Sequence, residues 1–262
     1  MIDTTHSSVL LQRLRGVRPA LRVVKRKLYR ELNVSPMRRV IRRLKQRGVD
    51  LRQLKALEVF GGTGDYSVGV CHMLDYRREV ATVEAWEVRQ DYGERLQRNF
   101  PWARVEIGDA HRKVAETEKR FGLVVVDNPE FPYGPYCEHF DLFPNILRIV
   151  ADSAILILNV MVETNERFSA SYPRIFGPHH LARRRSFYGT DQPEKVPLEE
   201  MVPIYRELVA EAGFDLEWCF WQDRNLPLDL LVGSVFPPMY YLVLKVGRRR
   251  LQRAVLPGDS EG

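Results

Sequence analysis

Cysteine is scarce: only Cys71, Cys137 and Cys219 occur in 262 residues, far apart and with no C-x-x-C pair. A disulfide framework is excluded, and no ligand set for a structural metal is evident. Long apolar runs are missing too. The most apolar stretch, around Ala154 to Val162, is about half of the roughly 20 residues that a spanning helix needs. Met1 to Ser8 carries Asp3 and no basic cluster, which is not the pattern of a secretory leader. Internal repeats are absent. These absences predict a soluble cytoplasmic protein. With 45 % hydrophobic and 28 % charged residues, the chain is globular and long enough to bury a core.

The charge is uneven. Residues 1–54 hold 15 Lys+Arg against three acids, Asp3, Glu31 and Asp50, although the whole chain is only +6. The remainder is mildly acidic. Apolar residues in the basic segment recur at helical spacing, which predicts helices over Ser8 to Leu32 and Pro36 to Arg47. Ser35 is the expected N-cap of the second and Pro36 its first residue. Three partners suit such a segment: nucleic-acid phosphates, an anionic membrane surface, or the acidic remainder of the chain.

From Lys55 onward, strands and helices alternate. Ala56 to Phe60, Glu79 to Trp86, Ala103 to Ile107, Phe121 to Val126 and Ala154 to Val160 read as strands with helices between them. Phe121 to Val126 is apolar on both faces and predicts a central strand. Leu198 to Ala212 reads as an amphipathic helix. Asp215 to Gln222 and Tyr240 to Val246 read as two late strands. The expected fold is α/β: a Rossmann-like, doubly wound, mostly parallel sheet with an antiparallel C-terminal edge hairpin. The expected organisation is a basic helical extension over 1–54, a domain over 55–247 and a disordered tail over 248–262.

Four signals lie at predicted strand ends, where such sheets bind ligands. Strand one runs into Glu58-Val59-Phe60-Gly61-Gly62-Thr63-Gly64, a glycine turn that lets backbone approach a ligand. Strand two ends in Glu87, placed to accept both hydroxyls of a ribose. Asp109-Ala110 follows strand three, where the carboxylate can accept an exocyclic amine of adenine or cap a helix. Asp127-Asn128-Pro129 follows strand four, beside the place of reaction.

Taken in order, these segments resemble the class I S-adenosylmethionine-dependent methyltransferases. The resemblance spans roughly Lys55 to Val246. It implies that Glu58, Gly61, Gly62 and Gly64 belong to the methionine-side loop, that Glu87 holds the ribose, and that Asp109 and Ala110 flank the adenine. Asp127 would border the transferred methyl. Phe60 fits the D-x-F-x-G-x-G form frequent in base-modifying members. Asn128-Pro129-Glu130 is similar to the D/N-P-P-Y/F motif of base-amine methylation, with Glu130 in place of its second proline. Val105 to Ala110 and Leu123 to Asp127 are also similar to segments of the polyamine synthases, which transfer aminopropyl groups.

Methyl transfer from a sulfonium asks the protein mainly to position a nucleophile and exclude water. A base matters when the acceptor is a hydroxyl or a protonated amine. The loop from Asn128 to His139 is rich in able side chains. Asp127 and His139 are the candidate catalytic bases. Asn128, Glu130, Tyr133 and Tyr136 are the candidate acceptor contacts. That loop favours a small-molecule or saccharide-type acceptor, whereas the basic extension and Phe60 favour RNA or DNA. A non-catalytic binding protein on the same fold is the reading from another class. Arg183, Arg184 and Arg185, near His179 and His180, are candidates for binding an anionic group.

Overall fold

A computed structural model describes residues 35–63, 72–127, 130, 132–133, 136–164, 177–224 and 238–249. The helix predicted over Ser8 to Leu32, the positions of Gly64 and Asn128, and the tail beyond residue 249 lie outside the described residues.

The first described element is helix α1 (Pro36–Gln46), capped by Ser35, whose hydroxyl accepts from the Arg38 amide. Strand β1 (Lys55–Glu58) follows, then the short α2 (Met73–Tyr76), β2 (Thr82–Glu87), α3 (Gln90–Asn99), β3 (Arg104–Ile107), α4 (Ala110–Glu116) and β4 (Phe121–Val126). A short hairpin, β5 (Pro132–Tyr133) and β6 (Tyr136–Cys137), leads into α5 (Glu138–Ile146) and the long β7 (Val150–Met161). Helices α6 (Pro178–Tyr188) and α7 (Leu198–Glu211) precede β8 (Phe214–Asp223) and β9 (Met239–Arg248).

Seven strands form one sheet in the order β3-β2-β1-β4-β7-β9-β8. The first five are parallel, and β9 runs antiparallel to both β7 and β8. This is the expected Rossmann-like sheet with its antiparallel edge. β4 is buried at every position, as its two-faced apolar sequence requires. The order reverses between β1 and β4, which opens a crevice at their carboxyl ends.

The two faces carry separate cores. Leu57, Val124, Leu156, Phe143, Tyr205 and Leu244 pack on one side, against α5 and α7. On the other, Met37, Val40, Ile41 and Leu44 of α1 pack with Ala56, Tyr76, Leu123, Ile155 and Phe220. The expected extension over 1–54 is described only from residue 35, and its helix α1 packs on the sheet. Charge marks the extension, but α1 is a core layer because its i, i+3, i+4, i+7 apolar stripe closes that face. No helix among the described residues is long and apolar enough to cross a membrane.

Candidate active site

The turn after β1 is shaped by two glycines. A Cβ at Gly61 would collide with Leu96 and press on the Trp86 carbonyl, which accepts from the Gly61 amide at 2.8 Å. Gly62 has φ +59, the left-handed region where side chains are strained. The Gly62 amide donates to Glu87 Oε2 at 2.8 Å, and the Arg89 amide donates to Glu87 Oε1 at 2.9 Å. The acid ending β2 thus holds the glycine turn as well as its own strand end. Asn99 of α3 fixes the turn's far side by donating to the Thr63 carbonyl at 2.8 Å.

At the end of β3, Asp109 caps α4 by accepting from the His111 amide at 2.8 Å, and Ala110 is buried behind it. Two large apolar residues remain exposed at these same strand ends: Val88 at 60 % and Ile107 at 39 %. They follow or precede the expected ligand-binding acids by one or two positions. Position beside a strand-ending acid was the signal that could have found them.

Between β1 and β4 lies a buried ionic cluster. Glu58 Oε2 lies 2.7 Å from His72 Nε2 and accepts from the Tyr76 hydroxyl at 2.9 Å. His72 Nδ1 lies 3.2 Å from Asp127 Oδ2. Arg224 Nη2 donates to that same oxygen at 2.8 Å, and Asn159 Nδ2 donates to Asp127 Oδ1 at 2.9 Å. Arg224 also donates to the Tyr241 hydroxyl at 3.2 Å. Two carboxylates thus face an arginine and an imidazole, and the cluster is neutral when His72 is protonated.

Burial would lower the His72 pKa, but Glu58 and Asp127 on either side raise it well above the usual imidazole value. Burial pushes Glu58 upward, partly offset by His72 and Tyr76. The pair therefore retains a proton near neutrality. Burial would raise Asp127 as well, yet Arg224 and His72 hold it below the usual carboxylate range. Among the described residues, Glu58 Oε1 and Asn159 Oδ1 are buried with no hydrogen-bond partner. They stand on β1 and β7, the two neighbours of β4, so two unmet acceptors flank Asp127. His72, Asn159 and Arg224 were not foreseen, because they come from three distant segments that carry no local motif.

Several expected site residues lie elsewhere. His139 is fully buried; its Nε2 sits 2.6 Å from the Tyr205 hydroxyl, and its ring packs among Phe140, Phe143 and Phe187. This corrects its reading as a base facing an acceptor: aromatic packing, not a cleft, surrounds it. Glu130 is also at 0 % exposure, ion-paired to buried Arg184, and its Oε1 accepts from the Tyr188 hydroxyl at 2.7 Å. A carboxylate so engaged is corrected from acceptor contact to core anchor. Arg184 further donates to the Pro193 and Met161 carbonyls, and Arg183 pairs with Asp141. Arg184 is thus internal and not free for an anion, whereas Arg183 is partly exposed beside Asp141 and Arg185 is exposed. His180 is buried, and burial drops its pKa to about 3. Tyr133 and Tyr136 face each other in the backbone register of the short hairpin.

Compared with family models and with curated proteins, the sequence matches none. Solved structures show a likeness at low identity, each with a TM-score under 0.5. M. jannaschii TYW2, in complex with AdoMet, is 10 % identical, with 80 % of this chain and 76 % of that chain covered at a TM-score of 0.45. The plantazolicin methyltransferase BamL, in complex with a triazolic desmethylPZN analogue and SAH, is 9 % identical over 74 % and 77 % of the two chains, TM-score 0.45. The ribosomal protein L11 methylase of Lactobacillus delbrueckii subsp. bulgaricus is 10 % identical over 78 % and 74 %, TM-score 0.42.

Proposed function

We propose that the protein is an S-adenosylmethionine-dependent methyltransferase. The observation that carries this is the arrangement of acids at the crevice. Asp109, Glu87, Glu58 and Asp127 stand at the carboxyl ends of β3, β2, β1 and β4, in sheet order, around the switch point. The Gly61 turn packs tightly against Leu96 and Trp86, which fixes the turn at the crevice, and the buried Glu58 Oε1, unmet among the described residues, fits a hydrogen-bond donor. Exposed Val88 and Ile107 fit the faces of a purine. When bound, the cofactor supplies a methyl group on a positively charged sulfur.

The chain's own residues do the positioning. Glu87 keeps its second lone pairs for ribose hydroxyls while fixing the Gly62 amide. Asp127, held ionised by Arg224 and His72, is a weak base near neutrality. Its part is to orient a donor group of the acceptor and to keep His72 charged. His139 and Glu130 pointed to a small-molecule acceptor; both are engaged in the core, so the loop no longer favours one acceptor class.

Isothermal titration with S-adenosylhomocysteine tests the reading. Wild type is expected to bind, and Glu87→Ala to bind more than tenfold more weakly, about 1.4 kcal/mol. Wild type that does not bind removes the proposal.

A further inference from the structure

Strand β7 carries one polar residue in its buried run. Ala154 to Met161 reads Ala-Ile-Leu-Ile-Leu-Asn-Val-Met, and every position is buried. Asn159 interrupts it at 0 % exposure. A leucine of similar size would lie there with no polar group to satisfy. The amide therefore costs free energy unless both of its ends are used. The register sets Asn159 in a row across the sheet. Val126 pairs with Leu158, so Asp127 and Asn159 follow side by side, and Asn159 pairs with Tyr241 on β9.

One end of the amide is used. Asn159 Nδ2 donates to Asp127 Oδ1 at 2.9 Å. Arg224 and His72 hold Asp127 ionised, so only the NH2 end can face it. The oxygen is thereby turned away from Asp127, and among the described residues Asn159 Oδ1 is buried with no partner. Both Asp127 oxygens already hold basic or donor groups: His72 Nδ1 and Arg224 Nη2 at Oδ2, Asn159 at Oδ1. A carboxylate on the NH2 end polarises the amide and makes its oxygen a stronger acceptor. The other unmet acceptor, Glu58 Oε1, belongs to β1, on the far side of β4.

We propose that Asn159 is a specificity-determining residue: its Oδ1 accepts from the positively charged centre of S-adenosylmethionine and so favours that form over the neutral thioether of S-adenosylhomocysteine. This holds only where the cofactor reading holds, because that reading sets the reacting sulfur beside Asp127. C–H groups on a sulfonium are weak donors to such an oxygen. A thioether offers no donor there and sets its own lone pairs against the amide oxygen. The neutral amide attracts a cation without adding a charge to a cluster already balanced by Arg224 and His72. Glu58 Oε1, across β4, serves a donor that both forms of the cofactor share. A site so divided keeps the unspent form and lets the spent one leave.

The test is calorimetry on the full chain with S-adenosylhomocysteine, S-adenosylmethionine and sinefungin, which carries a primary ammonium where the cofactor carries its methylated sulfur. Asn159→Leu keeps the bulk of the side chain and removes the acceptor. Relative to S-adenosylhomocysteine, it is expected to weaken sinefungin about tenfold, since a hydrogen bond to a charged group is lost. S-adenosylmethionine should weaken about threefold on the same scale, since a C–H donor is weaker. A purely structural loss, such as a slackened Asp127, weakens all three ligands alike and leaves these ratios unmoved. Glu58→Gln is expected to do that, with ratios within about twofold of wild type. Thermal midpoints are read on the same samples, and Asn159→Ala supplies the same ratios if the leucine variant does not fold. Wild type that binds S-adenosylhomocysteine, with ratios unchanged in the Asn159 variants, overturns the proposal alone; Oδ1 then holds an ordered water. Ratios that move in Glu58→Gln and not in Asn159→Leu overturn it as well. Wild type that binds none of the three overturns the cofactor reading and this proposal with it.

Discussion

Glu58 and Glu130 are both glutamates at 0 % exposure, and each faces a basic side chain, yet their surroundings differ. Both oxygens of Glu130 are engaged, one by Arg184 and the other by Tyr188 and the Met161 amide. Arg184 is saturated in turn, with Nε on Pro193 and both Nη atoms on Met161. Glu58 has one oxygen on His72 and Tyr76 and the other unmet. A closed network fixes a chain segment, here including the φ of +51 that Glu130 adopts. An open network at strand ends keeps acceptor capacity for something that arrives later. Burial alone does not distinguish a site from an anchor; the bonding of each carboxylate's two oxygens does so for this pair.

The largest expected effect belongs to the closed network. Arg184→Leu strands the Glu130 carboxylate and is expected to cost about 3–5 kcal/mol in urea denaturation. Adding Glu130→Gln, which removes the stranded charge, should recover part of that loss. Neither change should alter S-adenosylhomocysteine affinity per folded molecule. A cost below about 1 kcal/mol for Arg184→Leu would break the contrast, because an anchor must be expensive to cut.

The open network should respond to pH. His72 has a raised pKa, so its contribution is fully present below its ordinary value of 6.5 and is lost as pH rises through the folded value. Asp127 has a lowered pKa, so its contribution is present above 3.8 and is lost as pH falls through the folded value. Both act together between those limits. His72→Gln is expected to cost about 1.5–3 kcal/mol near pH 6, the range for a charged hydrogen bond. The gap to wild type should narrow steadily as pH rises above 6.5. A gap that stays constant from about pH 6 to about pH 10 would mean that His72 is neutral throughout.

Ligand affinity should separate the two regions further. Asp127→Asn leaves Arg224 and His72 facing one carboxylate, and is expected to weaken S-adenosylhomocysteine binding about five- to tenfold, roughly 1–1.4 kcal/mol. His139→Phe sits in the aromatic cluster on the Glu130 side and should change that affinity less than about twofold. Equal effects from the two variants, by calorimetry, would erase the distinction.

The sheet was legible because its signals are local. Five parallel strands, the late hairpin and the Ser35 cap all follow from periodicity and punctuation. The acids at strand ends were legible for the same reason, since Glu58, Glu87 and Asp127 each close an apolar run. What local sequence does not carry is pairing across the fold. The loop from Asn128 to His139 looked chemically able, but Arg184, Tyr188 and Tyr205 draw Glu130 and His139 inward from 54, 58 and 66 positions away. Arg224 reaches Asp127 across 97 positions, and no spacing rule announces that. Charge set α1 apart from the sheet it packs on, because the helix is basic on one side and apolar on the other.

The smallest effect tests whether the open network depends on α1. Ser35 Oγ both accepts from the Arg38 amide at 3.2 Å and donates to Asp75 at 2.9 Å, so it caps one helix and ties it to the next. Removing such a cap costs about 1 kcal/mol, and Ser35→Ala is expected to lower stability by that amount. Asp75 keeps its 3.0 Å bond from Arg38, so α2 stays in register. His72 meanwhile is gripped by Glu58 and Asp127, which stand on β1 and just past β4 and do not move with α1. Ser35→Ala should therefore leave S-adenosylhomocysteine affinity unchanged within about twofold. A larger drop would mean that α1 helps hold His72 in place, and the open network would then extend to the helix surface instead of ending at the strand ends.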